Sequence, residues 1–376
     1  MILSIGEILA DMVGETVDGT LTFKSFCGGA PFNVAVNAKL AGASVGFVGR
    51  VGKDVIGRFV TEEAKKANLD SLDIQVDSER NTTLAFVTLT DGERDFAFNR
   101  HDTADYNIDI NEIDFNKYQD LKIIHLGSLM LSEENGKAFA QKIAKKAKEL
   151  GVKLSFDMNF RMDTYKDFED AKKAYKPYVE QADIIKFSDD ELRLYTGIED
   201  IKTAIESIYQ KDQLFVLTLG SKGSMYYYNG QSNIIPTEKV KPIDTTGAGD
   251  AFFGTFLANM EEKEYVEYEA MGISEILKHC DVLKFKVGGV YIDGILQAFT
   301  IGCYYEKEDM VYIPVEKANP EIRGLYSFIN NEFLKQAYPN VTKVNREDDM
   351  GLEGLRQAKM SYNPIYMVEK YTIKQK

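Results

Sequence analysis

The chain has 376 residues, 44% hydrophobic and 28% charged, so it can bury a core without disulfides or structural metals. Its 59 acidic side chains outnumber 45 basic ones, giving a net charge of −14, and this excludes nucleic acid and anionic membranes as expected partners, since both select basic surfaces. With only three cysteines and no targeting segment, the chain is expected to be reduced and cytoplasmic.

The first 260 residues alternate between apolar runs of strand length and amphipathic stretches. The apolar runs occupy residues 2–5, 44–48, 123–126, 152–156, 184–187 and 214–219. The clearest helical stretch covers residues 133–150, and Gly151 follows it as a stop signal. Buried strands that alternate with helices are typical of α/β proteins, so a doubly wound, mostly parallel sheet is predicted.

Two segments alternate in the manner of exposed antiparallel strands. They cover residues 17–26 and 83–98, and Asp91-Gly92 has the composition of a hairpin turn. The two segments predict a small β lid beside the main sheet, with strands at about 10–27 and 83–100.

The pattern changes near residue 260. An acidic, polar stretch is followed by an alternating run with a turn at Asp293-Gly294, a strand and a helix, at residues 261–268, 288–302, 310–315 and 321–338. We therefore place a domain boundary at residue 260, which separates residues 1–260 from a smaller α+β segment over residues 261–376.

The segment DTTGAGDAFFG, residues 244–254, combines a small-residue turn with the start of a helix. The amides of Gly247, Ala248 and Gly249 could hold a phosphate or a developing negative charge, because a helix N-terminus has unpaired N–H groups. Asp250 suits a general base that takes a proton from an attacking hydroxyl. The alternative is an ordinary turn with an acid placed to favour the helix dipole.

A second glycine-containing turn, GGAPFN, occupies residues 28–33 and precedes a helical run. Gly28 and Gly29 allow close approach of the backbone to a ligand, and Asn33 can both donate to and accept from sugar hydroxyls. Asp11 follows the first strand, at the sheet edge where open α/β proteins bind ligands. An ordinary strand-to-helix turn and a solvated acid are the alternatives.

Three weaker segments are GRVGKD at 49–54, SDDE at 188–191 and GSKG at 220–223. The last follows a buried strand and could accept a nucleotide, and Glu191 could hold a metal-bound water. Each of them is unspecific when taken alone.

Together and in this order, these segments resemble the PfkB, or ribokinase-like, family of carbohydrate kinases over residues 1–260. The similarity is greatest to bacterial fructokinases, and further stretches share it: TTLAFVTLTDGERDFAFNR, HLGSLML, SFDMNFR and DIIKFSDDEL, at 82–100, 125–131, 155–161 and 183–192. Ser188 and Pro31 depart from the ribokinase pattern in the manner of fructokinases, which favours a hexulose over ribose.

The resemblance implies a role for individual residues. Asp250 matches the catalytic base, and Gly247, Ala248 and Gly249 match the anion hole. The sugar-binding positions match Asp11, Gly28, Gly29, Asn33, Arg100 and Arg161. The nucleotide-binding positions match Lys186, Thr218, Gly220 and Gly223, and the metal-side position matches Glu191.

The implied reaction is ATP-dependent phosphorylation of a sugar hydroxyl with Mg²⁺, most readily D-fructose to fructose 6-phosphate, and K⁺ is a further candidate cofactor. A homodimer through the lid is also implied. Alternatives are a kinase for another sugar, such as 2-keto-3-deoxygluconate, and a sugar-binding protein without turnover.

The last alternative arises because the family's C-terminal portion has no counterpart after residue 260. Residues 261–376 instead resemble the final part of phosphatidylglycerol lysyltransferase C-terminal-like proteins, which have a GNAT-type acyltransferase fold. Stretches at 288–302, 316–333 and 344–364 carry that resemblance. Only part of that family's length is present, without its CoA-binding RxxGxG loop, so we expect a partial GNAT-like domain in a chimeric or truncated product.

Overall fold

The structure is a computed structural model that describes residues 1–90, 93–238, 247–319, 321–346 and 360. The chain divides into two compact units, Met1–Tyr265 and Val266–Lys376. This division by compactness does not test whether each part folds and functions as a separate domain, so the domain boundary at residue 260 stays a prediction.

The first unit contains the strands β1 (Ile2–Ile5), β2 (Leu9–Val17), β3 (Thr20–Gly28), β4 (Val45–Gly52), β5 (Ser71–Asp77), β6 (Leu84–Thr90), β7 (Glu93–Asn99), β8 (Ile123–Leu126), β9 (Lys153–Asp157), β10 (Ile184–Ser188), β11 (Leu214–Thr218), β12 (Ser224–Tyr228) and β13 (Gln231–Ile235). Its helices are α1 (Ala30–Leu40), α2 (Val55–Lys65), α3 (Glu134–Leu150), α4 (Phe168–Gln181), α5 (Asp189–Thr196) and α6 (Ile201–Ile208), and α7 (Ala248–Lys278) begins in it. Each apolar run predicted from the sequence overlaps one of these strands.

The main sheet has the strand order β13-β12-β11-β10-β9-β8-β1-β4-β5 and is parallel from β11 to β5. The chain runs outward from β1 to β4 and β5, and then returns to β8 and continues to β11 on the other side. The strand order therefore reverses around β1. In open α/β sheets, ligands bind at the carboxyl ends of the strands at such a reversal. The predicted doubly wound, mostly parallel sheet is confirmed.

The strands at the centre of this sheet are apolar on both sides because helices cover both faces. Ile2, Leu3 and Ile5 of β1 have no exposed surface. On one face, Phe139 and Ile143 of α3 belong to the core that includes Leu3 and Ile5. A rigid sheet of this kind fixes the positions of the loops that follow its strands.

A smaller sheet with the order β3-β2-β6-β7 accounts for the segments predicted to form a lid. Strand β2 pairs antiparallel with β3 and parallel with β6. The predicted hairpin turn at Asp91-Gly92 lies outside the described residues. That the sheet closes over a ligand stays a prediction.

The second unit contains the strands β14 (Phe285–Ile292), β15 (Ile295–Tyr305), β16 (Met310–Ala318) and β17 (Val344–Asn345), and the helices α8 (Cys280–Leu283) and α9 (Leu325–Ala337). The strands form a sheet in the order β14-β15-β16-β17. Asp293 and Gly294 have φ of 51° and 79°, as a two-residue hairpin turn requires, so the turn predicted there is confirmed. Most of the stretch at 344–364 lies outside the described residues.

None of the helices in the described ranges is both long and apolar enough to cross a bilayer.

Candidate active site

A cavity of about 300 Å³ lies at the carboxyl ends of β1, β8 and β9, where the strand order reverses. It is lined by Glu7, Leu9, Asp11, Gly29, Ala30, Asn33, Ala85, Phe98, Leu129, Asn159, Arg161, Gly247 and Asp250. Ala85 and Phe98 come from β6 and β7, so the small sheet contributes one wall. The cavity brings together most of the residues that the sequence assigned to the sugar and to the base.

Asp250 and Asn33 are in direct contact. Nδ2 of Asn33, in the first turn of α1, donates a hydrogen bond to Oδ2 of Asp250, in the first turn of α7, at 2.9 Å. Burial raises the pKa of Asp250 above its usual value, while Asn33 and the charges of Lys186 and Arg161 oppose this shift. A carboxylate that is largely buried, and whose ionised form is stabilised by a hydrogen bond and by nearby positive charges, suits a general base.

Two backbone amides at the start of α7 precede the hydrogen bonds of the helix itself. The first bond inside the helix runs from the amide of Ala251 to the carbonyl of Gly247, at 2.8 Å. The amides of Ala248 and Gly249 come before that bond, in the turn where helical N–H groups lack intrahelical acceptors. Gly247 has a φ of 70°, a conformation that glycine adopts most readily. Asp244, Thr245 and Thr246 lie outside the described residues.

Asp11 belongs to β2 and faces the same cavity. Burial raises its pKa to about 6, with Asp250 adding to the shift and Arg161 reducing it. Gly28 does not line the cavity, but it makes room for Asp11, because a Cβ at Gly28 would lie 2.1 Å from Oδ2 of the carboxyl group. The predicted importance of this glycine therefore has a steric basis in the structure.

Gly29 has a similar constraint. Its φ is 112°, and a Cβ there would lie 2.4 Å from the backbone oxygen of Glu7. A side chain at this position would push the start of α1 away from the loop that follows β1. Gly29 thus holds Asn33 close to the cavity.

The two arginines assigned to the sugar are in different places. Arg161 lines the cavity, whereas Arg100 is not among the lining residues. Arg100 is buried, its Nε donates to Oδ2 of Asp105 at 2.8 Å, and its Nη1 donates to Oγ of Ser132 at 2.6 Å. This arrangement indicates a structural ion pair behind the cavity wall, and a direct role of Arg100 in sugar binding stays a prediction.

The sequence interpretation missed two polar residues of the cavity lining. Glu7 follows β1 and Asn159 follows β9, and both line the cavity. The rule that singled out Asp11, a polar residue just after a buried strand, could have found both of them. Asn159 lies within the SFDMNFR stretch and has a φ of 34°, a conformation that asparagine tolerates better than most residues.

The residues assigned to the nucleotide do not line this cavity. Thr218 ends β11, and Gly220 and Gly223, with φ of 57° and 106°, bracket the turn that follows. A Cβ at Gly223 would lie 2.0 Å from the backbone oxygen of Ile235, so the turn requires glycine there for reasons of space. Their position at the carboxyl edge of the sheet is compatible with nucleotide binding, which stays a prediction.

Lys186 lies between the two groups of residues. Its Nζ forms a buried ion pair with Asp157, at 2.9 and 3.0 Å from the two carboxylate oxygens. A Cβ at Gly249 would lie 3.4 Å from this Nζ, so the ammonium group lies next to the start of α7. Lys186 can therefore supply positive charge close to the predicted anion hole. Asp157, its partner, was not identified from the sequence.

Glu191 has both carboxylate oxygens bound to backbone amides. Oε1 accepts from Phe160 at 2.9 Å, and Oε2 accepts from Ser188 at 2.7 Å in a capping box at the start of α5. Across the described ranges, no three acidic, histidine or cysteine side chains cluster as metal ligands. Each oxygen still has a second lone pair, so Glu191 fits a metal held through water rather than a protein cage.

Two family models match the chain. The model described as "pfkB family carbohydrate kinase" matches residues 1–272. The model described as "Phosphatidylglycerol lysyltransferase, C-terminal" matches residues 259–374. Both resemblances read from the sequence are thereby confirmed, and the C-terminal sheet is consistent with the second.

The similar proteins and solved structures include several fructokinases. Probable fructokinase-7 of Arabidopsis thaliana is 37% identical over 269 residues, which cover 69% of this chain and 78% of the relative. The crystal structure of a fructokinase from Xylella fastidiosa with bound ATP has 30% identity and a TM-score of 0.64, over 69% of this chain and 81% of that one. A fructokinase double mutant from Vibrio cholerae O395, bound to fructose, ADP and a potassium ion, has 28% identity and a TM-score of 0.62, over 69% and 83%.

Proposed function

The chain belongs to the pfkB family of carbohydrate kinases and is a sugar kinase, and from this premise we propose that it transfers the γ-phosphoryl group of ATP to D-fructose, giving fructose 6-phosphate. One observation carries the proposal: Asp250, at the start of α7, faces a cavity that also holds Asp11 and Asn33. A base and hydroxyl-binding groups thus share one site of sugar size. Fructokinases among the similar proteins support the choice of sugar.

In the proposed reaction, Asp250 accepts the proton of the primary hydroxyl as that oxygen attacks the γ-phosphorus. Asn33 keeps the carboxylate oriented through its 2.9 Å hydrogen bond. The amides at 247–249 stabilise charge on the transferred phosphoryl oxygens, which is the main form of catalysis in phosphoryl transfer. Lys186, held by Asp157, adds positive charge next to Gly249.

ATP is proposed to lie along the carboxyl ends of β10 and β11, with Lys186, Thr218, Gly220 and Gly223 beside it. Mg²⁺ neutralises charge on the phosphates when it is bound. Mg²⁺ in such sites is held mainly by phosphate oxygens and waters with one or two carboxylates, and Glu191 fits the role of holding one of those waters. K⁺ is proposed on the basis of the potassium-bound relative.

The charge of the cavity favours an uncharged acceptor. Its described lining has the acids Glu7, Asp11 and Asp250 and one cation, Arg161. A sugar acid such as 2-keto-3-deoxygluconate would bring a further carboxylate into this environment. Fructose brings only hydroxyl groups and a ring or keto oxygen, which the acids and the amides of Asn33 and Asn159 can bind.

The test is a coupled assay of ADP release by the full chain with ATP, Mg²⁺ and a panel of fructose, ribose and 2-keto-3-deoxygluconate. Fructose should give the highest kcat/KM. Asp250→Asn should lower kcat by about 10²- to 10⁴-fold, the usual contribution of a general base. Asp190→Asn, at an exposed acid in the first turn of α5, is the matched control and should leave the rate unchanged.

Other outcomes would change the assignment. A preference for 2-keto-3-deoxygluconate would replace the sugar and keep the kinase. Fructose-dependent thermal stabilisation without any ADP release would instead support a sugar-binding protein without turnover, the alternative raised by the different C-terminal part.

We also propose a homodimer formed through the small sheet. Leu21 and Phe23 lie on one face of β3 and are 56% and 38% exposed. They lie on the opposite face of the sheet from Asp11, because side chains alternate along strands and Asp11 is paired with Phe26. Light scattering should give twice the monomer mass for the native chain, and Leu21→Lys with Phe23→Lys should give the monomer mass.

A further inference from the structure

Glu7 is an acid in the cavity wall to which the proposed reaction gives no role. It lies two residues after β1, at the carboxyl end of that strand, and it lines the same cavity as Asp11 and Asp250. Only 2% of the residue is exposed. Burial of a carboxyl group is unfavourable unless polar atoms compensate it, so the contacts of Glu7 indicate what the group is for.

One oxygen of this carboxyl group is orphaned. Within the part of the chain that the structure describes, Oε2 of Glu7 is buried and has no hydrogen-bond partner. Gly127, which follows β8, lies beside it, and a Cβ there would be 2.8 Å from Oε2 and 2.8 Å from Cγ of Pro31. The glycine keeps atoms away from this oxygen, and the oxygen belongs to a residue in the wall of a polar cavity. The carboxyl group therefore keeps hydrogen-bonding capacity that no described residue uses.

Charged and titratable groups face Glu7 from several elements. They are Arg100 after β7, Asp105 in a 3-10 turn, Asp250 at the start of α7 and Tyr175 in α4. Burial raises the pKa of Glu7 to about 8, Asp105 and Asp250 add to this, and Arg100 opposes it. At neutral pH the group is therefore mainly a neutral acid, which has one O–H donor as well as acceptor capacity.

A donor at this place complements the other cavity residues. Ionised Asp11 and Asp250 only accept hydrogen bonds, and the side-chain donors of the described lining are Arg161, the amide of Asn159 and the amide of Asn33, which already donates to Asp250. A sugar also has an oxygen without hydrogen, in its ring or carbonyl group, and such an oxygen needs a donor. We propose that Glu7 is a specificity-determining residue whose carboxyl group donates a hydrogen bond to an oxygen of the bound sugar. The proposal rests on the proposed sugar phosphorylation.

The proposal predicts that sugar affinity falls when Glu7 ionises. Fructose binding to the full chain is measured by calorimetry at pH 6.5 and pH 9.5. The Kd of the native chain should rise about tenfold, the loss expected when a buried group loses its hydrogen-bond partner. Glu7→Gln keeps a donor and cannot ionise, so its Kd should change less than about twofold over the same interval, by the same reasoning.

Glu133→Gln is the matched control. Glu133 also faces Arg100, but it does not line the cavity, so its variant should keep the pH dependence of the native chain. Gly127→Ala is a second test that leaves every charge in place. Its methyl group would crowd Oε2, and sugar binding should weaken at both pH values.

Four results would overturn the inference. They are a native Kd that does not rise with pH, a Glu7→Gln variant with the pH dependence of the native chain, a Gly127→Ala variant that folds and binds fructose normally, and the absence of fructose binding by the native chain at either pH. ADP release is measured on the same samples. Binding that follows the predicted pattern without ADP release would refute the proposed reaction while the role of Glu7 stands.

Discussion

Asn33 and Asp250 are 217 positions apart in the sequence, and the amide of the first donates to the carboxylate of the second at 2.9 Å. The bond joins the first turns of α1 and α7. It orients the proposed base, and it also favours the ionised form of a carboxyl group whose pKa is raised by burial. The proposed role of Asp250 as the base therefore depends on a residue from the other end of the first unit.

Asn33→Ala should impair the base without removing it. The hydrogen bond that lowers the pKa of Asp250 is lost, so the pKa should rise further and a smaller fraction of the carboxylate should be ionised at pH 7. We expect kcat/KM to fall by about tenfold, corresponding to one hydrogen bond to a charged group. The pH profile of ADP release would check this, because its acid limb should move to higher pH.

The control for this variant is Asn37→Ala, one helical turn further along α1, where the side-chain amide donates to the backbone oxygen of Asn33. It should leave the acid limb in place. An Asn33→Ala variant with the native acid limb would mean that the amide does not tune the base.

The native chain should lose activity as the pH falls towards 6. The pKa of Asp250 is raised by burial, and that of Asp11 is raised to about 6. Both carboxylates must be ionised, one to accept the proton and the other to bind hydroxyls, so activity is present above these pKa values and is lost below them. Measured kcat/KM between pH 5 and 8 should decline on the acid side. Constant kcat/KM down to pH 5 would contradict these assignments.

The sequence predicts those parts of the site that depend on local patterns. The helix that begins at Ala248 and the turn before α1 are encoded by adjacent small and polar residues, so Asp250 and Asn33 were identified without the structure. Contacts between distant residues are different. The sequence around Arg100 does not indicate that its guanidinium group forms an ion pair with Asp105. The position of this pair behind the cavity wall is known only from the fold.

Glu7 and Asp157 illustrate the same limit. A single acid after a strand is compatible with solvent exposure, and its burial depends on which loops pack over it. The strand β10 predicted at 184–187 was confirmed, but the pairing of Lys186 with Asp157 depends on β9 being its neighbour in the sheet. Strand neighbours follow from the three-dimensional order of the sheet, which the pattern of apolar residues leaves open.

The ion pair of Lys186 with Asp157 should be costly to break. Both side chains are at least 93% buried, and Asp157→Asn would leave the ammonium group without its partner. Removing one member of a buried pair destabilises proteins by about 3–5 kcal/mol, since the other charge remains desolvated. Urea unfolding of the full chain, followed by circular dichroism, would measure the change in the free energy of unfolding.

Glu62→Gln is the comparison for this ion pair. Glu62 pairs with Lys65 on the surface of α2, where the two side chains are 67% and 59% exposed. Pairs of this kind contribute about 0–1 kcal/mol, so the variant should unfold at nearly the native urea concentration. If the two substitutions lowered the free energy of unfolding equally, the ion pair next to the predicted anion hole would stabilise the fold no more than a surface pair does.

Gly254 determines how closely α1 and α7 approach each other. A Cβ at this glycine would lie 2.5 Å from the backbone oxygen of Val34 and 3.0 Å from the backbone nitrogen of Ala38. Backbone atoms cannot rotate away, so Gly254→Ala should move the helices apart and lower the free energy of unfolding by about 1–3 kcal/mol, the usual cost of overpacking.

This separation should also be visible in catalysis. Gly254 lies one helical turn after Asp250, and Val34 directly follows Asn33, so a shift of the helices lengthens the 2.9 Å bond between the base and its amide. We expect kcat to fall by at least about tenfold with fructose, because small misplacements of reacting groups have large effects on rate. Thr255→Ala, at the neighbouring position, should keep both kcat and stability, since its side chain is exposed. If Gly254→Ala loses stability but retains the native kcat and acid limb, the helix crossing does not control the geometry of the base.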